Sequence, residues 1–265
     1  MNTIQTLEKD LQQIRTKRPL IHNITNFVVM NNTANALLSI GASPVMAHAQ
    51  DEIDEMVKIA SALVINIGTL DETWLKAMIQ AGKSANTANI PIIFDPVGAG
   101  ATSYRIKACH HIINTCRPSI IRGNASEIIA VSGNHSQTKG VDSTTSSDSA
   151  LDAAIKLADH TGSIVVISGE IDYITDGKTV KKVYNGHPMM ERVTGMGCTA
   201  TAIIGAFAAV NRDYITAAEE GMIVMGITGE IATAKSAGNG SLQINFLDEL
   251  YNLNINQIKD HYKKN

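Results

Sequence analysis

Gly195-Met196-Gly197-Cys198 stands just before an apolar, Ala-rich stretch that runs from Ala200 to Val210. Two glycines this close together let backbone N–H groups converge on one point, and a helix opening there adds the partial positive charge of its N-terminus. Such a turn binds anions, phosphate above all. A thiol in the same place is expected to titrate more easily than usual. A glycine-rich loop that merely turns the chain would use the same residues, so this segment alone leaves both readings open.

Three other segments carry groups that could join it. Asp95 ends a β-branched run and leads into Pro96-Val97-Gly98-Ala99-Gly100-Ala101-Thr102. Ligands of open α/β sheets gather at the carboxyl ends of strands, which makes Asp95 a candidate for the metal or phosphate side of a site; capping of the next turn is the alternative. Arg122-Gly123-Asn124-Ala125-Ser126-Glu127 follows a second such run. Arg122 is placed to pair with phosphate, whereas Asn124 and Glu127 have the spacing of a helix cap and a first-turn carboxylate. His22-Asn23-Ile24-Thr25-Asn26 is a dense polar cluster before an amphipathic helix. Thr25 or Asn26 could cap that helix, and the remaining amides and imidazole could hold a small polar ligand.

Other resemblances to known motifs fail on spacing. The position three past Gly98-Ala99-Gly100 is Ser103, so this is not a dinucleotide fingerprint. Gly82-Lys83-Ser84 looks like the tail of a P-loop, but Ala77 stands where the partner glycine belongs. It also follows a helix instead of opening one, and Gly82 reads as that helix's cap. His110-His111, with Cys109 and Cys116, lacks metal-ligand spacing and reads as solvent-side histidines beside buried cysteines. Met189-Met190 reads as packing.

The elements that must position these groups alternate along the chain. Leu63 to Ile67, Ile90 to Phe94, Ser119 to Ile121 and Ser163 to Ile167 read as buried strands. Helical patterns cover Asn32 to Ile40, closed by Gly41 before a strand-like Ser43 to Met46, and Asp71 to Gln80. Repeated strand–helix units imply a mostly parallel sheet covered on both faces. Ile171 to Asp176 and Thr179 to Tyr184 flank Gly177-Lys178 as a hairpin beside that sheet. The polar segment Ser132 to Ser149 reads as a surface loop leading into a helix from Ala150 to His160, and from Thr199 onward the pattern is nearly all helical. With 265 residues, 44% of them hydrophobic, and no visible repeat or boundary, a single α/β domain spanning 1–265 is expected.

Composition excludes several classes of partner. A net charge of −3 without a basic stripe counts against nucleic acid. Ile4, Leu7, Leu11 and Ile14 have helical spacing, without the apolar core of a signal peptide. No run approaches the ~20 apolar residues that span a bilayer. Three cysteines do not make a disulfide framework. A cytoplasmic protein is expected.

Taken together, Pro19 to Asn26, Gly41 to Ala47, Asp95 to Gly100, Arg122 to Glu127 and Gly195 to Cys198 resemble, in order and spacing, the hydroxyethylthiazole kinase family of the ribokinase-like superfamily. Sugar kinases of that superfamily usually carry Asp where Cys198 stands; the thiazole kinases are similar to this chain in using Cys. The resemblance implies a ribokinase-like three-layer sandwich, its central mainly parallel sheet flanked by helices. It implies transfer of the ATP γ-phosphoryl group to the primary hydroxyl of 4-methyl-5-(2-hydroxyethyl)thiazole with Mg²⁺, in thiamine biosynthesis or salvage. A homotrimer with sites between subunits is implied too. By the same resemblance Arg122 and Ser168 contact ATP, Ser168 standing where family members often have Thr. Met46 and Gly195 contact the thiazole, and Asn23 and Asn26 add polar contacts near its ring. Asp95 and Glu127 sit on the magnesium side. The chemistry agrees: the amides of Gly195, Met196 and Gly197, with Arg122, could neutralise the transferring group, and Cys198 could accept the alcohol proton in support. The competing readings are a ribokinase-like kinase for a pyrimidine alcohol or a sugar, and a non-catalytic nucleotide or thiazole sensor on the same scaffold.

Overall fold

Parallel strands covered on both faces need apolar side chains pointing both ways, and the short β-branched runs supply them. In the computed structural model, which describes residues 2–133 and 147–263, they build one eight-stranded sheet. Its strands are β1 (Leu20–Ile24), β2 (Ser43–Val45), β3 (Ala62–Asn66), β4 (Ile92–Asp95), β5 (Ile120–Asn124), β6 (Ile164–Ser168), β7 (Asp172–Thr175) and β8 (Val180–Val183). The spatial order is β2-β1-β3-β4-β5-β6-β7-β8. The first six pair in parallel, and the β7–β8 hairpin adds antiparallel to β6, as its turn signal implied.

Alternation along the strands divides the core in two. Val64, Ile93, Ile120 and Val166 point to one face, where α1 (Thr3–Lys17), α2 (Met30–Ile40), α8 (Met196–Val210), α9 (Tyr214–Ala234), α10 (Asn239–Asn252) and α11 (Ile255–His261) lie. Leu63, Ile65, Phe94 and Ile121 point to the other, under α3 (Ile53–Ile59), α4 (Glu72–Ala88), α5 (Ser103–Cys116), α6 (Ala125–Val131) and α7 (Ser147–Thr161). α8 is buried from Thr199 to Ala208, which is why its sequence is apolar all round. It lies between the sheet and the outer helices.

Several local expectations need correcting. Gly82 caps nothing: α4 continues through it and ends at Asn89, which takes the left-handed conformation (φ 54). The glycine is needed there because Cys116 of α5 fills the space a Cβ would take. Neither Thr25 nor Asn26 caps α2, whose cap residue is Val29 with no side-chain hydrogen bond. The polar cluster from His22 hid a strand, β1. The β4 strand starts after Pro91 and ends on Asp95, and β5 runs on to Asn124, so Arg122 lies within a strand. α7 begins at Ser147, three residues before Ala150; residues 134–146 of the expected loop lie outside the described residues. Gly41 does close α2, at φ 104, and Met189 and Met190 do pack on the core.

Candidate active site

Parallel pairing brings polar residues from the ends of β3 to β6 into one row. Asn66 is in register with Asp95, and Asn124 with Ser168. Asp95 is 1% exposed. Its Oδ2 accepts from Asn66 Nδ2 at 3.0 Å and from Thr201 Oγ1 at 2.8 Å, and Arg122 Nη1 lies 4.0 Å away. Its Oδ1 is buried with no hydrogen-bond partner among the described residues. Burial pushes the Asp95 carboxyl up to about 6 against the pull of the Arg122 charge, with Glu127 adding to the rise.

The turn before α8 arrives over this row. Gly195 has φ 85, and a Cβ on it would stand 2.8 Å from Val29 Cγ1, so only glycine fits. No side chain caps the first turn. Met196 N–H leans 3.5 Å towards Val193 O, and Thr199 N–H bonds Gly195 O at 2.8 Å. The Gly197 and Cys198 N–H groups lie between these two, in the uncapped turn. Arg122 crosses the same turn: a Cβ on Gly197 would be 2.6 Å from its Nη1. Its Nη2 donates to Ser168 Oγ, and its buried Nε has no partner among the described residues. A guanidinium over the positive end of a helix is electrostatically costly until an anion lies between them.

Cys198 is brought into the row but is not activated. Its Sγ lies 3.5 Å from Asn26 Nδ2. Burial, followed by the nearby Asp95 charge, pushes the thiol up to about 11, outweighing the opposing pull of Asn66, Arg122 and Asn26. The expected easy titration is therefore overturned. The helix terminus is real, but desolvation and a neighbouring carboxylate oppose the thiolate more strongly.

The remaining candidates are distributed around this centre. Glu127 completes a capping box with Asn124, and both its oxygens are taken, Oε1 by Gly98 N–H and Oε2 by Asn124 N–H, each at 2.8 Å. Asn23 is fully buried and donates to Ile21 O, within its own strand. Met46 lies just beyond the edge strand β2. His22 Nε2, 2.7 Å from Ala47 O, ties its segment to β1. Burial lowers the pKa of His22. Beside Met46, the rings of Phe27 and His48 lie 4.7 and 4.6 Å from that of Trp74.

The chain matches the model of the hydroxyethylthiazole kinase family over residues 11–256. A hydroxyethylthiazole kinase of Syntrophus aciditrophicus is 56% identical over 249 residues, which cover 94% of this chain and 92% of the relative. The chain belongs to the hydroxyethylthiazole kinase family. The solved structure of a hydroxyethylthiazole kinase protein from Pyrococcus horikoshii OT3 superimposes with a TM-score of 0.90 at 40% identity, covering 98% of each chain. A ribokinase-like superfamily protein from Enterococcus faecalis, 14% identical, shares the fold with a TM-score of 0.68 over 97% of this chain and 95% of its own. As a member of this kinase family the chain is an enzyme, with ATP as co-substrate.

Three residues that hold this candidate site together escaped the sequence reading. Asn66 and Thr201 both bond Asp95, and Arg105 donates to the carbonyls of Ile67, Gly68 and Val97, tying together the loops after β3 and β4. Asn66 carried a usable signal, an amide inside an otherwise apolar run. Thr201 and Arg105 carried none, because helix residues reveal their partners only once the sheet is assembled.

Proposed function

We propose that this enzyme transfers the γ-phosphoryl group of ATP to the primary hydroxyl of 4-methyl-5-(2-hydroxyethyl)thiazole, in thiamine biosynthesis or salvage. The observation that carries this reading is the convergence of Arg122 and Cys198 on the uncapped first turn of α8. The turn's N–H groups and Arg122 hold the transferring group from two sides, with the Ser168 hydroxyl on the guanidinium setting its direction. Cys198, 3.5 Å from the Asn26 amide, is the group beside that anion hole that holds or takes the alcohol proton. Because its thiol is hard to ionise, the anion hole carries most of the rate enhancement.

The residues present fit Mg²⁺. Asp95 offers a buried oxygen that no donor among the described residues satisfies, as a cation ligand would. Among the described residues no group of three or more His, Cys, Asp or Glu could enclose a metal; Mg²⁺ needs only one or two carboxylates beside substrate phosphates and water. Asp95 would hold it, and Glu127, its oxygens already engaged, would add negative charge nearby. When bound, the ion neutralises phosphate oxygens.

The thiazole would lie between Gly195 and Met46, with Asn26 at its polar side; Asn23 would reach it only by leaving its bond to Ile21 O. Phe27 and Val28, 60% and 62% exposed beside that corner, support completion of the site by a second copy in a homotrimer. One sheet joining all eight strands supports treating 1–265 as one domain. Among the described residues no helix is long and apolar enough to cross a membrane, in keeping with action in the cytoplasm. Release of ADP, measured with and without the thiazole alcohol and against hydroxymethylpyrimidine and ribose, tests the reading. ADP formation indifferent to the thiazole alcohol would refute it.

A further inference from the structure

The amide of Asn66 fits only one way round. Its Oδ1 accepts from Gly68 N–H at 2.9 Å and from Asn26 Nδ2 at 2.8 Å, while its Nδ2 donates to Asp95 Oδ2 at 3.0 Å. Turned over, it would set NH₂ against a backbone N–H and oxygen against a carboxylate, losing every one of these bonds. Gly68 N–H cannot rotate, and at 1% exposure Asn66 has no water to substitute for it. The backbone therefore dictates the orientation of Asn66.

That orientation passes to the next side chain. Asn66 Oδ1 demands a donor, so Asn26 must present its NH₂, and the same Nδ2 lies 3.5 Å from Cys198 Sγ. Gly68 also closes the space around this amide, since a Cβ there would stand 2.6 Å from Asn26 Nδ2. We propose that Asn66 is a positioning residue, aligning the Asn26 amide so that an N–H is held on the Cys198 sulfur. Without Asn66, Asn26 is free to turn its carbonyl oxygen to the sulfur, which favours the S–H form. Asn66 then affects the rate chiefly through Cys198, by aligning Asn26 and by its own pull on the thiol, a deepening that rests on the reading of Cys198 as the group that takes the alcohol proton.

The test compares Asn66→Ala and Asn26→Ala, each in the wild-type and Cys198→Ala backgrounds, with ATP and the thiazole alcohol. The rate of Cys198 alkylation by iodoacetamide at pH 8 is followed by mass spectrometry, without substrates. In the wild-type background kcat should fall about tenfold, the scale of one hydrogen bond to a charged group, with the KM for ATP nearly unchanged. In the Cys198→Ala background Asn66→Ala should lose markedly less, only what its bond to Asp95 contributes, and on the intact thiol it should slow alkylation several-fold. Asn26→Ala should act in the same direction on both, and Asn66→Ala should slow alkylation less in the Asn26→Ala protein than in the wild type, because only its own pull on the thiol is then left to lose. Equal losses in both backgrounds, or an unchanged alkylation rate, would overturn the proposal. If wild-type enzyme fails to turn over the thiazole alcohol, the functional reading falls instead, and alkylation still decides the role of Asn66. If Asn66→Ala does not fold, Asn66→Ser takes its place in the same comparison: slowing of alkylation as large in the Asn26→Ala protein as in the wild type overturns the relay.

Discussion

The Arg122 guanidinium lies over Gly197 so closely that a methyl group on the glycine would stand 2.6 Å from Nη1. The atom in the way is the far end of a flexible side chain, so Gly197→Ala should fold and displace the guanidinium instead. Loss of a charge-assisted contact to phosphate corresponds to about 1.5–3 kcal/mol, roughly tenfold or more in the KM for ATP. Arg122→Ala should raise that KM to a similar extent, and the double variant should be little worse than either. Steady-state kinetics over ATP concentration check this; a wild-type KM in Arg122→Ala would remove the residue from the nucleotide site.

Cys198 gives the reaction a distinctive pH dependence. With its thiol pushed up to about 11, the sulfur is protonated at neutral pH, and the thiolate fraction grows tenfold per pH unit up to that value. Above pH 7 Asp95, raised to about 6, has already ionised and adds no further slope. The kcat of the wild-type enzyme should therefore climb from pH 7 towards 10. Cys198→Asp, with a carboxylate in place of the thiol, should retain appreciable activity and show a flatter profile, and Cys198→Ala should lose kcat far more than nucleotide affinity. A flat wild-type profile would show that the thiol takes no part in proton removal.

The sheet was legible because burial on both faces writes itself into the sequence as β-branched runs, Leu63 to Ile67 being the clearest. β1 was not, because His22 and Asn23 interrupt its apolar pattern with side chains whose partners, Ala47 O and Ile21 O, lie in folded backbone. The site followed the same rule. The glycine turn at Gly195 and Gly197 was legible because turn geometry is a local property, whereas Arg122, read as ending its strand, lies within β5. The ionisation of Cys198 was misjudged because it depends on burial and on Asp95, which lies 103 positions earlier in the chain and meets it only in space.

Gly82 illustrates how a local signal misleads. Inside α4 it should be replaceable by alanine with a gain in helix propensity of roughly 0.5–1 kcal/mol. The Cys116 side chain occupies the space, so Gly82→Ala is expected to destabilise instead, by about 1–3 kcal/mol. Urea denaturation measures this, and Cys116→Ala in the same protein should recover part of the loss. A stabilised Gly82→Ala protein would mean that α4 and α5 separate easily.

Glu220 should make stability depend on pH far from the site. It is fully buried on α9, and among the described residues neither of its carboxyl oxygens has a hydrogen-bond donor. Its neighbour is Asp10, which already accepts from Gln13 and Asn211, so only a proton on Glu220 turns the contact into a bond. Burial first, then Asp10 and Glu219, push the Glu220 carboxyl up to about 9, with Lys181 opposing. Below an unfolded pKa of about 4.5 both states are protonated and nothing is lost. Between there and about 9 the native state binds a proton that the unfolded chain lacks, so stability falls by up to about 1.4 kcal/mol per unit as pH rises. Glu220→Gln removes that dependence. In urea melts at pH 5, 7 and 9, the stability difference between the two proteins should shift steadily towards the glutamine variant. Parallel pH profiles would mean that Glu220 is ionised in the folded protein, with its charge satisfied by a partner other than Asp10.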